Sequence, residues 1–478
     1  MVATLEPLTH LNSAQRAAAT FGHRTEQGVE SGPLLVIAGA GTGKTTTLAH
    51  RVAHLVLAGV DAERILLLTF SRRAAYEMTR RAERIVREAQ RDAEDRRRVR
   101  LSWSGTFHSI ANRLLRQYAA NVGLDPAFTV LDRSDAADCL DLVRQEQGLA
   151  ARAKRFPKKD TCLALYSRCV NAGATLETVI DAHYPWCTDW QDELSQLFRG
   201  YVDMKQKNAV LDYDDLLLYW LHAVSEPMLA AAISARFEHI LVDEYQDTNK
   251  VQAGILRALR PDGQGLTVVG DDAQSIYAFR AAEVDNILDF PDQFVPAANV
   301  VTLEQNYRSV QPILDCANTL IAESTRQYRK DLWSEAPSGQ KPLYVTVEDG
   351  DGEADYIVQA ILAAREEGTA LREQAVLFRN SHHSDRLEVE LTRRNIPFVK
   401  YGGLKFLESA HVKDLLAVLK WADNPRNRVA AFRVLQLLDG MGPAHAARCF
   451  EYIAAADYSL SALEAFTPPG PTLAHWPA

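Results

Sequence analysis

The chain has 478 residues and a formal net charge of −9, with 47% hydrophobic and 24% charged residues; this composition is ordinary for a globular protein and excludes a surface covered in positive charge. Its length predicts roughly three domains. No apolar run approaches the ~18 residues of a membrane-spanning helix, and the six cysteines form no CxxC pair, so we expect a cytoplasmic protein with reduced thiols and no membrane contact.

Residues 1–112 alternate short apolar runs with helical patterns, which is typical of parallel βα units. The apolar run Leu34–Ile37 leads into the segment AGAGTGKT, which opens an amphipathic helix. Its glycines let backbone N–H groups turn toward phosphate oxygens at the positive end of that helix. Lys44 is placed to reach the β- and γ-phosphates, and the Thr45 hydroxyl to ligate Mg²⁺. The pattern predicts a nucleotide-binding loop that comprises Ala38, Gly39, Ala40, Gly41, Thr42, Gly43, Lys44, Thr45 and Thr46.

The alternation stops between about residues 113 and 209, where the pattern is helical. It resumes over residues 210–295, where the segments HILVDE and LTVVGDD have the apolar character of buried strands. We therefore predict a helical domain inserted into the first α/β domain.

The first of these two strands ends in adjacent carboxylates, Asp243 and Glu244. Taken alone, the segment VDE is compatible with a strand that runs into an acidic turn. Beside a phosphate-binding loop, an acid at the end of a second strand is the usual ligand of the same Mg²⁺, which assigns that role to Asp243. Glu244 is then the candidate to orient or deprotonate the attacking water. Together the two segments predict a site that hydrolyses ATP.

A second α/β pattern covers residues 296–398, with PLYVTVEDG and QAVLFRN predicted as strands. From residue 399 to 478 the pattern is helical again, for example in KDLLAVLKWADNP and VAAFRVLQLL. We therefore expect a second α/β domain followed by helices.

Seven further segments occur in a fixed order along the chain. They are LNSAQR (11–16), LLTFSRRAAYEM (67–78), GTFHS (105–109), LDYDDLL (211–217), VDEYQDTN (242–249), VVGDDAQSIYAFRAA (268–282) and LEQNYRS (303–309). This series closely resembles the UvrD/Rep/PcrA type of superfamily 1 DNA helicases, and the similarity covers nearly the whole chain. One such motif would be weak, whereas seven in order leave little room for chance.

The resemblance implies an α/β fold of P-loop, RecA-like parallel-sheet domains with helical insertions. Domain 1A would be complete (1–112 and 210–295), with insertion 1B at 113–209, a partial domain 2A at 296–398 and the start of domain 2B at 399–478. It also implies ATP and Mg²⁺ as cofactors. Single-stranded DNA and single/double-strand junctions would be the partners.

Four nucleotide contacts follow from the resemblance. Gln15 would pair with the donor and the acceptor on adenine, because its amide offers both. Tyr307 would stack on adenine. Gln274 would sense the γ-phosphate, and Arg308 would reach it from the second motor domain. The predicted catalytic residues are Lys44, Glu244, Gln274 and Arg308.

The resemblance also places a DNA track in this chain. Single-stranded DNA is held without sequence preference by stacking aromatic rings and by phosphate contacts. An aromatic residue in an apolar context is more often part of the core, and that alternative stays open for each ring. The predicted DNA-binding residues are Phe70, Thr106, Phe107, His108, Tyr277, Phe279 and Arg280.

The chain departs from the usual family pattern at several positions. Phe279 stands where many relatives have tryptophan, which keeps the stack, and Thr46 stands where many have an arginine, which predicts the loss of one nucleotide contact. The family's last two motifs, a Gly-Leu-Glu segment and an arginine segment, are not found, so we expect the chain to stop inside domain 2B.

Two hypotheses remain open at this point. The first is an ATP-dependent DNA helicase or translocase, moving 3′ to 5′, that acts in DNA repair, replication or recombination in the cytoplasm at the nucleoid. The alternative is an ATP- and DNA-binding fragment with little or no turnover.

Overall fold

The computed structural model describes residues 8–26, 28–90, 100–149, 156–401, 410–473 and 476. The chain forms two compact units, one made of Met1–Gln340 and Lys420–Ala478 and the other of Lys341–Leu419. The predicted bounds of the finer domains stay predictions.

The first unit is built on a six-stranded parallel sheet in the order β10-β3-β9-β8-β4-β5. The strands of the described residues are β1 His23–Thr25, β2 Gly28–Glu30, β3 Leu34–Ala38, β4 Ile65–Thr69, β5 Trp103–Thr106, β6 Thr129–Val130, β7 Val210–Leu211, β8 His239–Val242, β9 Leu266–Gly270 and β10 Asn299–Leu303. The central strands β3, β4, β8 and β9 are buried along their whole length, because helices cover both faces of a parallel sheet. The predicted α/β class is confirmed.

Most of the remaining structure is helical. The α-helices of the described residues are α1 Ser13–Ala19, α2 Lys44–Leu57, α3 Arg72–Ala89, α4 Phe107–Tyr118, α5 Arg133–Glu146, α6 Lys159–Ala172, α7 Leu176–His183, α8 Gln191–Lys207, α9 Tyr213–Ser225, α10 Pro227–Ser234, α11 Lys250–Leu259, α12 Asp285–Leu288, α13 Gln311–Ile321, α14 Gly350–Glu366, α15 Asp385–Arg393, α16 Ala410–Asp423, α17 Arg428–Leu435, α18 Pro443–Ala455 and α19 Gly470–Leu473. No single described helix is long and apolar enough to cross a membrane, although α9 and α10, bent by 102°, pass that test as a pair by length and composition.

The predicted helical insertion has a core of its own. Helices α5 to α8 bury a separate apolar cluster that includes Leu140, Leu165, Leu194 and Tyr201. The short strands β6 and β7 pair in parallel and join the two ends of this region. The helical character predicted for residues 113–209 is therefore confirmed.

The second unit contains α14, α15 and the first part of α16, with irregular segments between α14 and α15. Its small core includes Val358, Leu387 and Leu391. The strands predicted at 342–350 and 374–380 are wrong: the described residues there form no strand. A strand requires a neighbour that pairs with its backbone groups, and these segments have none among the described residues, so Leu343 and Leu377 stand 78% and 93% exposed.

Candidate nucleotide and DNA site

The predicted phosphate-binding loop connects the buried strand β3 to helix α2. Gly41 and Gly43 have left-handed φ values of 79° and 88°, which residues with a Cβ rarely adopt. A Cβ on Gly43 would also lie 2.6 Å from Nε2 of Gln15. The Thr42 hydroxyl donates to the Gly39 carbonyl at 2.9 Å and closes the loop. The loop has the shape in which backbone N–H groups face a ligand at a helix N-terminus.

Helix α1 delivers Gln15 to this loop. Asn12 and Gln15 form a reciprocal capping box at the start of α1, which fixes the helix entry. Gln15 is 4% exposed, and its Nε2 donates to the Thr42 carbonyl at 2.9 Å. The Asn12 amide donates to the Tyr307 hydroxyl at 3.0 Å. The structure therefore brings the two predicted adenine contacts, Gln15 and Tyr307, to one side of the loop.

The acidic strand end lies at the same edge of the sheet, because β8 and β3 both pair with β9 in parallel. Asp243 is 5% exposed, and its Oδ1 is buried without a hydrogen-bond partner. Burial and then the charge of Glu244 raise the pKa of Asp243 to about 7, against the opposite effect of Lys44. A buried oxygen with an open lone pair fits a divalent cation. Asp243 and the half-buried Thr45 on α2 are the residues that would hold Mg²⁺.

Lys44 and Glu244 face each other directly. The Lys44 Nζ donates to the Glu244 Oε2 at 2.7 Å, and the lysine side chain is only 10% exposed. Glu244 adopts a left-handed backbone conformation, φ 53°, which is uncommon for a residue with a side chain and turns the chain sharply after β8. The predicted phosphate-binding lysine and the predicted catalytic carboxylate are therefore direct partners.

Strand β9 ends at Gly270 and is followed directly by Asp271 and Asp272. The predicted sensor Gln274 donates from Nε2 to the Asp271 Oδ2 at 2.5 Å. Both aspartates are paired at 2.7 Å with Lys330, which is 3% exposed. Sequence reasoning missed Lys330, although two adjacent carboxylates at a strand end are a signal that a cation is near.

The segment after β10 reaches the loop as well. The Tyr307 N–H donates to the Gly41 carbonyl at 2.9 Å, and the Asn306 amide donates to the Ala40 carbonyl at 2.5 Å. A Cβ on Gly41 would lie 2.7 Å from the Cβ of Arg308. The structure therefore places the predicted Arg308 beside the loop, where its side chain is exposed.

Four of the predicted DNA residues form one group, the aromatic cluster Phe70, Tyr277, Phe279 and Arg280. The ring of Tyr277 lies 4.6 Å from that of Phe70 and 5.6 Å from that of Phe279. The Arg280 guanidinium lies 5.6 Å from the Tyr277 and Phe279 ring centroids. Phe70 and Phe279 are 40% and 66% exposed. Exposed rings with an adjacent cation are the components of a base-stacking surface.

The three predicted DNA residues of the GTFHS segment differ in their surroundings: Thr106 and His108 form one group and Phe107 the other. Thr106 caps α4, its hydroxyl accepting from the Ser109 N–H at 3.3 Å. The His108 ring contacts the Tyr213 ring at 5.6 Å, and burial followed by Arg280 lowers the pKa of His108 to about 4. Phe107, in contrast, is 5% exposed and packs against Trp220. The stacking role predicted for Phe107 is corrected, because the apolar face of α4 turns its ring into the core.

The departure at Thr46 is accompanied by a contact from another helix. Nη1 of Arg81, on α3, donates to the Thr46 hydroxyl at 2.9 Å. An arginine is therefore present beside Thr46, though from a different element. The predicted loss of a nucleotide contact stays a prediction.

Comparisons with known proteins agree with this geometry. The family model described as the UvrD/REP helicase N-terminal domain matches residues 12–295, and that of the UvrD-like helicase C-terminal domain matches residues 301–459. The ATP-dependent DNA helicase PcrA of Staphylococcus aureus (strain Mu50 / ATCC 700699) is 31% identical over 449 residues, 93% of this chain and 58% of that protein. The protein of the same name from Staphylococcus epidermidis (strain ATCC 12228 / FDA PCI 1200) is 34% identical over 438 residues, 91% of this chain and 57% of that protein.

These matches bear on the two hypotheses. The chain spans about 58% of the length of the curated relatives that it matches. A C-terminal domain match over residues 301–459 does not support the alternative of a binding fragment without turnover, and that alternative is withdrawn.

Proposed function

The chain belongs to the UvrD/REP helicase family, and from that membership we propose that it hydrolyses ATP to move along single-stranded DNA and to separate strands at single/double-strand junctions. The observation that carries the proposal is the arrangement of Lys44, Asp243 and Glu244 at one edge of the sheet. Movement from 3′ to 5′, a role in DNA repair, replication or recombination, and a cytoplasmic location at the nucleoid are part of the proposal and rest on the family resemblance.

The chemistry follows from the side chains of the strand ends. Lys44 would exchange its contact with Glu244 for the β- and γ-phosphates. Glu244, released from the lysine, would accept a proton from the water that attacks the γ-phosphorus. Thr45 and Asp243 would hold Mg²⁺, which would supply positive charge for the phosphates. Arg308 and Gln274 would contact the γ-phosphate and stabilise the charge that develops there.

The aromatic cluster is the proposed surface for DNA. Each stacked base is worth roughly 1–3 kcal/mol without dependence on sequence. A few rings therefore suffice to hold a single strand on a chain whose net charge is −9. Arg280, beside two of the rings, adds a cation for the phosphate backbone.

The test is steady-state ATP hydrolysis with and without single-stranded DNA. We expect stimulation by DNA, and a loss of about 10²-fold or more in Lys44→Ala, because the cation that stabilises the phosphates is removed. Lys250→Ala is the matched control, since Lys250 is an exposed lysine whose side chain pairs with Glu283. If single-stranded DNA does not stimulate ATP hydrolysis by the wild type, the proposal is overturned.

Direction is tested separately with duplexes that carry one single-stranded tail. We expect strand separation with a 3′ tail, which provides the entry strand for 3′-to-5′ movement. Separation of 5′-tailed duplexes alone would leave the ATPase proposal standing and reverse the polarity.

A further inference from the structure

Asn306 lies on the segment that follows β10, and both ends of its side-chain amide are hydrogen-bonded. It is 3% exposed. Its Oδ1 accepts from the N–H groups of Arg308 at 2.8 Å and of Ser309 at 2.7 Å. Its Nδ2 donates to the Ala40 carbonyl at 2.5 Å. Since an amide has one acceptor end and one donor end, a single orientation of this side chain serves both the turn and the phosphate loop.

The place of Asn306 beside the loop follows from the sheet. Strands β10 and β3 pair in parallel, with Leu303 opposite Ala38, so the segments after both strands leave the sheet at the same edge. A Cβ on Gly41 would lie 2.8 Å from the Asn306 Nδ2, and the glycine therefore leaves room for the amide. The Asn306 N–H also donates to the Trp333 carbonyl at 2.7 Å. Asn306 is thus held through its backbone and through its side chain.

The turn that Asn306 forms sets the backbone of Arg308. An asparagine side chain that accepts from N–H groups further along its own segment closes an Asx turn, which fixes the backbone in between. The N–H of the intervening Tyr307 donates to the Gly41 carbonyl at 2.9 Å. The backbone of Arg308 is therefore held at a defined place beside the phosphate loop, whereas its side chain is exposed.

A fixed backbone matters for Arg308 because its side chain is long. An exposed arginine has many rotamers, so the backbone is the part of this residue that the protein fixes. The N–H fork of a guanidinium matches phosphate oxygens only in a narrow range of positions. A misplacement of about 1 Å at a reacting centre can lower a rate on the order of 10²-fold. The residue that holds the backbone of Arg308 therefore affects how well its guanidinium meets the γ-phosphate.

We propose that Asn306 is a positioning residue that ties the backbone of Arg308 to the phosphate loop and so sets the reach of its guanidinium to the γ-phosphate. The proposal rests on the proposed function and deepens it, because Asn306 acts through Arg308. The loop that binds the phosphates thereby also sets the distance of the arginine from them.

The contribution of the γ-phosphate to binding tests this role. The experiment uses the full chain with Mg²⁺, fluorescent ADP and a fluorescent non-hydrolysable ATP analogue, without DNA. The dissociation constant of ADP divided by that of the analogue is the γ-phosphate ratio. It reports the contacts of the γ-phosphate, because both ligands share the adenine, the ribose and the first two phosphates. Binding at equilibrium keeps the measurement independent of turnover.

The main comparison is a double-mutant cycle of Asn306 and Arg308. We expect the γ-phosphate ratio to fall about tenfold or more in Arg308→Ala, which loses hydrogen bonds from a charged group. In Asn306→Ala we expect a fall of about fivefold or more, with the dissociation constant of ADP within about threefold of the wild type. In the Arg308→Ala background, Asn306→Ala should change the ratio less than about twofold, because no guanidinium is left to position.

A second variant and a control complete the experiment. Asn306→Ser keeps an acceptor for the turn, but its hydroxyl is one atom too short to replace the donor to Ala40, so we expect the γ-phosphate ratio to fall there as well. If Asn306→Ala does not fold, the cycle is measured with Asn306→Ser. Asn427→Ala is the matched control, because Asn427 is 1% exposed and its Oδ1 accepts from the Ala430 N–H at the start of α17.

The outcomes separate the inference from the proposed function. A γ-phosphate ratio that stays at the wild-type value in the Asn306 variants or in Arg308→Ala overturns the inference. An equal fall with and without Arg308 overturns it as well, since Asn306 would then act independently. So does an equal loss of affinity for ADP and for the analogue, which would be a role in the shape of the loop alone. If an oligo-dT strand does not stimulate ATP hydrolysis by the wild type, the proposed function itself fails.

Discussion

Two regions at the same parallel sheet are opposite in physical character. One is the nucleotide edge, which comprises Gln15, Lys44, Asp243 and Glu244, and the other is the aromatic cluster. At the nucleotide edge, Gln15 and Asp243 are about 5% exposed or less, and Gln15 is held by hydrogen bonds. In the aromatic cluster, Phe70 and Phe279 are 40% and 66% exposed, and each ring lies against that of Tyr277. One region is fixed before its ligand arrives, and the other is open.

This difference fits the two ligands that we propose for these regions. A buried polar group must be hydrogen-bonded, which fixes its orientation and prepares it for transition-state charge. Exposed rings bury their apolar surface only when a base stacks on them, so they bind single strands with little dependence on sequence. We expect substitutions at the nucleotide edge to change rates steeply, and substitutions in the aromatic cluster to change affinity moderately.

The largest expected effect comes from Glu244→Gln. The amide keeps the shape of the side chain but cannot accept a proton from water, so DNA-stimulated turnover should fall about 10²- to 10⁴-fold. The ATP analogue should still bind. Glu238→Gln serves as the control, because Glu238 precedes the same strand and pairs with Arg64 away from the loop. Turnover within the range of that control would remove Glu244 from the catalytic set.

A smaller effect is expected from Phe279→Ala in the aromatic cluster. Loss of one stacked base weakens oligo-dT affinity by about 5- to 150-fold, which fluorescence anisotropy measures directly. Tyr76→Ala is the control, since Tyr76 is a 63% exposed ring on α3 outside the cluster. Equal DNA affinity of the two variants would contradict the assignment of the cluster to DNA, and with it the comparison of the two regions.

The smallest expected effect is on the pH dependence of the free energy of unfolding, and it concerns Asp214. Asp214 accepts from the Asn171 amide at 2.7 Å. Asn171 in turn accepts at 2.6 Å from Asn249, the last residue of the VDEYQDTN segment. Burial and then the charge of Asp212 raise the pKa of Asp214 to about 7, against hydrogen bonds from Asn171 and Ser167 and the charge of Lys205.

The sign of the pH effect follows from this raised pKa. Between the ordinary carboxyl pKa and about 7, the folded chain binds more protons at Asp214 than the unfolded chain does, so the free energy of unfolding falls as pH rises through this range. In Asp214→Asn this pH-dependent part of the free energy of unfolding disappears. At pH 8 the free energy of unfolding of the variant should exceed that of the wild type by on the order of 1 kcal/mol. Urea unfolding at pH 5 and pH 8 measures it, with the exposed Asp203→Asn as control. A wild-type pH slope in Asp214→Asn would contradict the assignment.

Much of the nucleotide site was predictable from short segments. The loop from Ala38 to Thr46 and the carboxylates Asp243 and Glu244 are local patterns, because each depends on glycine conformations or on a strand end. The apolar runs predicted at Leu34–Ile37, in HILVDE and in LTVVGDD coincide with β3, β8 and β9. The strands predicted after residue 340 were wrong, because an apolar run becomes a strand only when another strand pairs with it.

The sequence by itself therefore determined the family, the phosphate-binding loop and the acidic strand end, since these depend on residues that are neighbours along the chain. Only the tertiary structure decided that Phe107 lies in the core while Phe279 is exposed, that Lys330 pairs with both Asp271 and Asp272, and that Gln246 contacts Glu244 and the residue after β9. Periodicity does not distinguish a buried ring from a stacking ring, nor does it pair a lysine with carboxylates about 60 residues away. Those outcomes depend on which elements pack together, because burial and hydrogen bonding are properties of contacts between distant parts of the chain.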